Sequence, residues 1–321
     1  MTSSVAAGKA AASAVTEQRN PRTTDIDVVP TLEVLRLLNS EDARVPTSVE
    51  KVLPQLAELV EAAAGRVGRG GHLHYFGAGT SGRIAMLDAA ELPPTFGVEP
   101  SFATAHLAGG EAATRLAVEN AEDDLDAGRA AAETLGPEDI AVGVSASGSA
   151  PYVAAALDRA RQRGALTALV SSNPGAPLGR SVDYHLAVDT GPEALTGSTR
   201  LKAGTAAKLV LNGFSTALMV RLGRCYSNMM VDVVPTNQKL RRRLVRILVQ
   251  ATGADEDAAR QALTQAGDDV KVALVSMLSA SPPPAARRAL EEASGQVRSA
   301  LARLVPAGTE GPSPAGAAAA P

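Results

Sequence analysis

Two loops rich in glycine and hydroxyl side chains are the first candidates for chemistry in this sequence. The first loop, GAGTSGR, begins at Gly77 and has the spacing G-x-G-x-x-G, with Thr80 and Ser81 between Gly79 and Gly82. Glycines let the backbone approach an anion closely, and hydroxyls donate hydrogen bonds to its oxygens. The loop therefore indicates a site for phosphate, carried by a dinucleotide or by a smaller phosphate ester.

The second loop, SASGSAPY, has the same character, with Ser145, Ser147 and Ser149 around Gly148. Each loop follows a short apolar stretch and precedes a helical pattern. Backbone N–H groups at two helix starts, assisted by the helix dipoles, can bind an anion. Tight strand-to-helix turns without a ligand are the alternative, but two such loops in one sheet favour phosphate binding.

The sequence favours a phosphate monoester over a dinucleotide. Dinucleotide binding requires an acidic residue at the end of the next strand, roughly 20 residues after the last glycine. That strand, SFATAHL, ends at His106 and Leu107 without a carboxylate, and no Gly-Lys-Ser/Thr follows the glycines to make a P-loop. The predicted phosphate or sugar contacts are Gly79, Thr80, Ser81, Ser145, Ser147 and Ser149.

These loops need a scaffold, and strand patterns alternate with helix patterns along most of the chain. Five short apolar stretches predict strands: 72–76, 101–107, 139–145, 165–172 and 184–189. The predicted helices are 31–39, 48–67, 81–90, 109–135, 151–164 and 198–223. Such alternation is typical of an α/β fold, a doubly wound, mainly parallel sheet with helices on both faces.

Some boundaries carry specific predictions. Thr31 is a plausible N-cap, and Pro54 predicts a kink or a late start in its helix. Pro93 and Pro94 are expected to stop the helix that follows the first loop, which places Glu91 at its end.

The chain is expected to divide into a large catalytic domain and a small helical module. Residues 16–250 hold the strand patterns, whereas 251–305 have none and predict a bundle of three short helices, two of them separated by a turn at Gly267. Residues 1–15 and 306–321 are low in complexity and predict disordered tails.

Composition excludes several classes of protein. The net charge of -3 gives no basic field for nucleic acid or anionic lipid, and no apolar run reaches the roughly 18 residues of a membrane span. Cys225 is the single cysteine and the histidines show no H-x-x-x-H spacing, so neither a disulfide scaffold nor a metal site is expected. The N-terminus lacks a signal-peptide pattern. We expect a cytoplasmic protein.

Several longer stretches of the sequence, in the order in which they occur, resemble the N-acetylmuramic acid 6-phosphate etherases, which are enzymes of the sugar isomerase (SIS) fold. The stretches are TEQRNPRTTDID (16–27), LNSEDARVP (38–46), FGAGTSGR (76–83), LDAAELPPTFG (87–97), LAGGEAA (107–113), AVENAEDD (117–124), SASGSAPYV (145–153), TGSTRLKAGTAAKLVLN (196–212) and NMMVDVVPTN (228–237). Together they cover residues 16 to about 280 in order. The resemblance implies an SIS-type sheet that binds a phosphosugar.

The resemblance also implies a reaction and two catalytic residues. The family removes D-lactate from C3 of N-acetylmuramic acid 6-phosphate, and elimination is the accessible route because an ether resists direct hydrolysis. Elimination needs an acid and a base but no redox cofactor or metal. By resemblance these are Glu91, in ELPPTFG, as proton donor and Glu122, in AVENAEDD, as base. From residue types alone, Glu122 belongs to an acidic cluster that could equally be a solvated helix face.

Other polar residues have two interpretations each. Lys202 and Lys208 could reach a substrate carboxylate or phosphate, or be ordinary lysines of a helix surface. Arg83 is expected to pair with a neighbouring carboxylate, and His106 and His185, in apolar strands, to be core histidines with hydrogen-bond partners.

Two other functions stay open, and a dimer is expected. The first alternative is a regulator that binds a sugar phosphate without turnover, since such a regulator also resembles this family. The second is an aldose–ketose isomerase, which has the same fold. The presence of both glutamates argues against the first, and ELPPTFG argues against the second.

The nearly apolar helix 198–223 has more apolar surface than one sheet can bury, so we predict a homodimer.

Overall fold

The computed structural model describes residues 15–233 and 238–304, so the predicted tails lie outside the described residues except for Val15. The chain forms two compact units. Of the described residues, the first takes those up to Ala89 together with Ser101–Phe214, and the second takes Ala90–Pro100 together with those from Ser215 onward. The predicted catalytic domain at 16–250 and helical module at 251–305 stay a prediction.

The first unit is built on a five-stranded sheet in which every neighbouring pair of strands is parallel. Its strands are β1 (Leu73–Gly77), β2 (Ala103–Leu107), β3 (Ile140–Val144), β4 (Leu166–Ser171) and β5 (Tyr184–Ala187). They lie in the order β2-β1-β3-β4-β5, and every residue of β3 and β4 is buried. The predicted parallel α/β fold is confirmed, because continuous apolar runs are what strands covered on both faces require.

Helices flank this sheet in chain order. They are α1 (Thr31–Asp42), α2 (Val45–Glu50), α3 (Leu53–Val67), α4 (Gly79–Phe96), α5 (Leu125–Ala131), α6 (Pro151–Gln162) and α7 (Lys202–Arg221). Helix α6 buries Val153 and Leu157, four residues apart on one face. A Cβ on Gly143 of β3 would come within 2.6 Å of both side chains, so this glycine permits the close packing of α6 on the sheet.

Three predictions about helix boundaries are corrected. Thr31 is the first residue of α1 rather than its N-cap, which is Pro30 without a capping side-chain hydrogen bond. Helix α4 runs through Pro93 and Pro94 to Phe96, because Leu92 and Phe96 are both buried, one turn apart. Gly97, with φ of 63°, ends that helix.

The third correction concerns residues 109–135, which do not form one helix. They form two short 3-10 turns, Gly110–Thr114 and Ala121–Asp123, followed by α5. Gly109 has φ of 83°, and a Cβ there would lie 2.9 Å from Cβ of Val118, so the chain folds back over this glycine. The predicted interruption at Pro54 is confirmed, since α3 begins anew beside it.

The second unit contains an antiparallel hairpin, β6 (Cys225–Tyr226) with β7 (Met229–Met230), and helices α8 (Gln238–Thr252), α9 (Glu256–Gln265), α10 (Val270–Ser279), α11 (Pro283–Glu292) and α12 (Val297–Leu304). Its core includes Leu244, Leu274 and Ala286. Residues 251–305 thus hold four helices instead of the predicted three, because Ser294 and Gly295 adopt positive φ between α11 and α12. No helix among the described residues is long and apolar enough to cross a bilayer.

Candidate active site

The two hydroxyl-rich loops meet because their strands are neighbours in register. Gly77, the last residue of β1, pairs with Val144, the last residue of β3. The chain leaves β1 toward β2 on one side and later returns to β3 on the other, so the crevice between β1 and β3 is the switch point of this sheet. Open parallel sheets bind ligands at such a point, outside the carboxyl ends of the strands.

A cavity of about 340 Å³ lies at this switch point. Its polar lining residues are Thr16, Glu17, Thr80, Ser81, Glu122, Ser145, Ser147 and Thr199, and Gly79 also lines it. The structure therefore brings together six of the predicted site residues, Gly79, Thr80, Ser81, Ser145, Ser147 and Glu122. The volume lies within the range of small-molecule sites.

The glycines of the first loop have separate physical roles. Gly79 has φ of 53° and starts α4. A Cβ on Gly82 would lie 2.6 Å from the carbonyl oxygen of Gly77, so these two glycines let the helix pack directly on the end of β1. Arg83 donates to the carbonyl oxygens of Ala113 (3.0 Å) and Leu116 (2.9 Å). Its predicted carboxylate partner is therefore corrected to backbone carbonyls, which tie the loop to residues 113–116.

The second loop is ordered by its own serines. The Ser145 hydroxyl accepts a hydrogen bond from the Gly148 N–H (3.1 Å), and the hydroxyls of Ser147 and Ser149 lie 2.8 Å apart. Asn173 Nδ2 donates to the Ser147 carbonyl at 3.0 Å. Ser149 is not among the residues that line the cavity, so its influence on a ligand would pass through Ser147.

The two predicted catalytic glutamates have different positions. Glu122 lies in the 3-10 turn Ala121–Asp123, between Asn120, which has φ of 59°, and Asp124, which caps α5, and it lines the cavity. Glu91 lies within α4, is exposed, and is not among the lining residues. The expectation that Glu91 occupies an irregular helix end is wrong, because α4 continues past it.

The predicted contact between Lys202 and a substrate is not supported. The Lys202 side chain has 0% exposure, and its Nζ donates to Glu41 Oε2 at 2.7 Å. Burial of an ammonium is favourable only with such a partner, and here the ion pair leaves no surface for a phosphate. Lys208 is exposed on α7.

The sequence did not single out Thr16, Glu17 or Thr199, which form another wall of the cavity. Residues 15–17 form a 3-10 turn, and the Gly197 N–H donates to the Thr16 carbonyl at 3.1 Å. The available signal was the resemblance, since TEQRN and TGSTR are among the stretches that carry it. Their residue types alone, far from both loops in the sequence, gave no reason to choose them.

The strand histidines have side-chain partners, as predicted, but His106 and His185 are half-buried instead of lying fully in the core. The rings of His74 and His106 lie 3.1 Å apart at Nδ1 and Nε2, and His106 stacks on Phe76. Burial, with a smaller effect of His74, lowers the pKa of His106 to about 4. His185 Nε2 lies 2.8 Å from the Ser171 hydroxyl, and burial lowers its pKa. Both imidazoles are therefore neutral at pH 7.

Two family models match the chain. The model of the glucokinase regulatory protein N-terminal SIS domain matches residues 55–161, and the SIS domain model matches residues 117–212. These ranges include the strands and loops around the cavity. With the parallel sheet, they confirm the predicted SIS-type fold.

Curated relatives are similar over most of the chain. The N-acetylmuramic acid 6-phosphate etherase of Thermobifida fusca is 55% identical over 266 residues, which cover 83% of this chain and 88% of the relative. The protein of the same name from Cutibacterium acnes is 51% identical over 267 residues, with 83% and 88% covered. That from Symbiobacterium thermophilum is 49% identical over 266 residues, with 83% and 89% covered.

Proposed function

The chain belongs to the N-acetylmuramic acid 6-phosphate etherase family, and on this premise we propose that it cleaves the D-lactyl ether of N-acetylmuramic acid 6-phosphate to give N-acetylglucosamine 6-phosphate and D-lactate. The observation that carries this proposal is the cavity in which two hydroxyl-rich loops and the Glu122 carboxylate meet. That combination offers donors for a phosphate and, beside them, a group able to remove a proton.

The 6-phosphate is bound by the two loops in this proposal. Thr80, Ser81, Ser145 and Ser147 line the same cavity, and each carries a hydroxyl that can donate to a phosphate oxygen. Helix α4 begins within the first loop and α6 just after the second, so both helix dipoles favour an anion there. The phosphate then fixes the sugar relative to Glu122.

The proposed reaction is an elimination followed by addition of water. With the sugar ring open, C1 is an aldehyde and the proton on C2 is acidic. Glu122 removes that proton, the C2–C3 double bond forms, and the C3–O bond breaks as the departing lactate oxygen takes a proton from the acid. Water adds at C3 and C2 regains a proton, so the sum is hydrolysis of the ether.

The two glutamates have unequal support in this scheme. The base role of Glu122 rests on its position in the cavity and on the resemblance. The proton-donor role of Glu91 rests on the ELPPTFG stretch alone. Neither step uses a metal or a redox cofactor.

We also propose the setting in which this activity operates. The enzyme is cytoplasmic, serves recycling of cell-wall amino sugars, binds neither nucleic acid nor membrane, and acts as a homodimer. Exposed apolar side chains support the dimer: Leu32 and Leu35 lie three residues apart on α1 and are 58% and 57% exposed, and Val28, just before that helix, is 75% exposed.

One observation favours a second candidate function, a sugar-phosphate binder without turnover. The matching model of residues 55–161 is that of a regulatory protein's SIS domain. Release of D-lactate separates the two candidates, because a binder retains affinity for the phosphosugar but leaves the ether intact.

The decisive experiment incubates the purified protein with N-acetylmuramic acid 6-phosphate and measures D-lactate. We expect release by the wild type, little release by Glu122→Gln, and unchanged release by Glu50→Gln, a control on the exposed side of α2. Each charge-assisted hydrogen bond contributes about 1.5–3 kcal/mol, so unphosphorylated N-acetylmuramic acid should lose at least about a thousandfold in kcat/KM. Absence of lactate with the wild type refutes the etherase, and equal turnover of the unphosphorylated sugar refutes the assignment of the loops.

A further inference from the structure

The wall of the cavity formed by Thr16 and Glu17 has no role in the proposed chemistry. Glu17 is exposed and lines the same cavity as Glu122, and these two carry the carboxylates that the described residues contribute to its lining. Among the described residues, the Glu17 carboxylate takes part in no hydrogen bond or ion pair with another side chain or with the backbone. It is therefore an acceptor in a polar cavity for which the described part of the chain supplies no partner.

Gly197 lies next to this carboxylate and leaves room for it. A Cβ built on Gly197 would lie 3.0 Å from Glu17 Oε2, and Gly197 has φ of 75°. The glycine thus leaves the space that the carboxylate occupies. The backbone hydrogen bond from Gly197 to Thr16 joins the two segments at the same point.

The segment that follows the turn of Glu17 is fixed to the first unit by buried hydrogen bonds. Asn20, 3% exposed, donates from Nδ2 to Glu41 Oε2 at 2.8 Å and to the Pro192 carbonyl at 3.2 Å. The Thr23 hydroxyl donates to the Ala194 carbonyl at 2.8 Å. These bonds fix the backbone close to Glu17, so that ligand binding has to order the Glu17 side chain but not the chain that carries it.

The residues that line the cavity differ in their hydrogen-bonding groups, with donors on the two loops and an acceptor at Glu17. The two loops present hydroxyl and backbone N–H donors, which suit a phosphate. A carboxylate has no proton to donate, so Glu17 can accept from a hydroxyl or an amide N–H and repels an anion. A phosphosugar carries both kinds of group, the phosphate at one end and hydroxyl groups along its chain.

We propose that Glu17 is a specificity-determining residue that accepts a hydrogen bond from a hydroxyl or amide N–H of the sugar and so orients the phosphate toward the two loops. This inference rests on the proposed function for the identity of the sugar. It assigns Glu17 to binding, and leaves proton transfer to the groups described above.

The variant Glu17→Gln tests the inference, because it keeps the size of the side chain and removes its charge. We expect KM for N-acetylmuramic acid 6-phosphate and Kd for N-acetylglucosamine 6-phosphate to rise at least about tenfold, as loss of a charged hydrogen bond predicts. We expect kcat to stay within about twofold. Kd for inorganic phosphate, which the loops alone would bind, should not rise.

Glu50→Gln is the matched control, an exposed glutamate that does not line the cavity, and should leave all of these constants unchanged. Unchanged KM and product affinity in Glu17→Gln would overturn the inference. A fall in kcat with unchanged product affinity would overturn it as well, since Glu17 would then act in catalysis. If the wild type releases no lactate, the proposed function fails, whereas the affinities for N-acetylglucosamine 6-phosphate still decide the role of Glu17.

Discussion

Removal of the charge on Glu41 should destabilise the first unit by about 3 kcal/mol. Glu41 is 1% exposed, and its Oε2 accepts from Lys202 Nζ at 2.7 Å, Asn20 Nδ2 at 2.8 Å and Arg22 Nη2 at 2.8 Å. Glu41→Gln keeps the volume but leaves the Lys202 ammonium buried without its carboxylate. Breaking a buried ion pair in this way costs about 3–5 kcal/mol. Glu193 accepts a hydrogen bond from the Lys202 backbone N–H at 3.0 Å and also attracts the Lys202 ammonium. We therefore expect the lower end of this energy range.

The pKa of Glu41 gives a second measure of the same interaction. The hydrogen bond from Arg22 lowers this pKa from 4.5 to about 2, with further lowering by Lys202 and Asn20 and an opposing effect of burial. This depression corresponds to about 3 kcal/mol of stability at neutral pH. Because the folded pKa lies below the unfolded one, the contribution is complete above about pH 4.5 and is lost as the pH falls toward 2.

The assay is urea unfolding at pH 7 and at pH 3, followed by circular dichroism with a separate transition fitted for each unit. The difference between wild type and Glu41→Gln should shrink by about 2 kcal/mol at pH 3. Glu138→Gln is the control, because its ion pair with Arg69 is exposed and screened by solvent, so this substitution should change the free energy of unfolding far less than Glu41→Gln does. Adding Lys202→Met to Glu41→Gln should restore much of the loss. A loss below about 1 kcal/mol at pH 7, or one that does not change with pH, would refute the reasoning.

Three further predictions concern the site and the core. Glu91→Gln should still exchange the C2 proton of N-acetylmuramic acid 6-phosphate with deuterated solvent while releasing almost no lactate, whereas Glu122→Gln should do neither; the reverse pattern, seen by NMR, would exchange their roles. Gly148→Ala should reduce phosphosugar affinity at least about tenfold in calorimetry, because φ is 65° there and the new Cβ would lie 2.3 Å from Cβ of Ala176. Thr190→Val should raise the free energy of unfolding by about 1 kcal/mol, because no described residue forms a hydrogen bond with the buried Thr190 hydroxyl; a lower value in urea unfolding would contradict this.

Much of the first unit could be predicted from local patterns. Strand β3 is five apolar or glycine residues between polar boundaries, and such a run fits a strand covered on both faces. The loops after β1 and β3 were recognisable because glycines and hydroxyls follow apolar runs directly. The prediction of one helix over residues 109–135 was wrong. Their composition is helical, but Gly109 and Asn120 take left-handed conformations that allow the segment to pack on itself.

The sequence by itself determined the residue types of the two hydroxyl-rich loops and their place after parallel strands, because both depend on residues adjacent in the chain. Only the tertiary structure decided which distant residues join them. Glu17 lies far from Ser81 and Ser147 in the sequence but lines the same cavity. Lys202 is drawn inward by Glu41, 161 positions away, instead of facing a substrate. Such pairings depend on the whole packed unit, since a buried charge is stable only where folding supplies its partner.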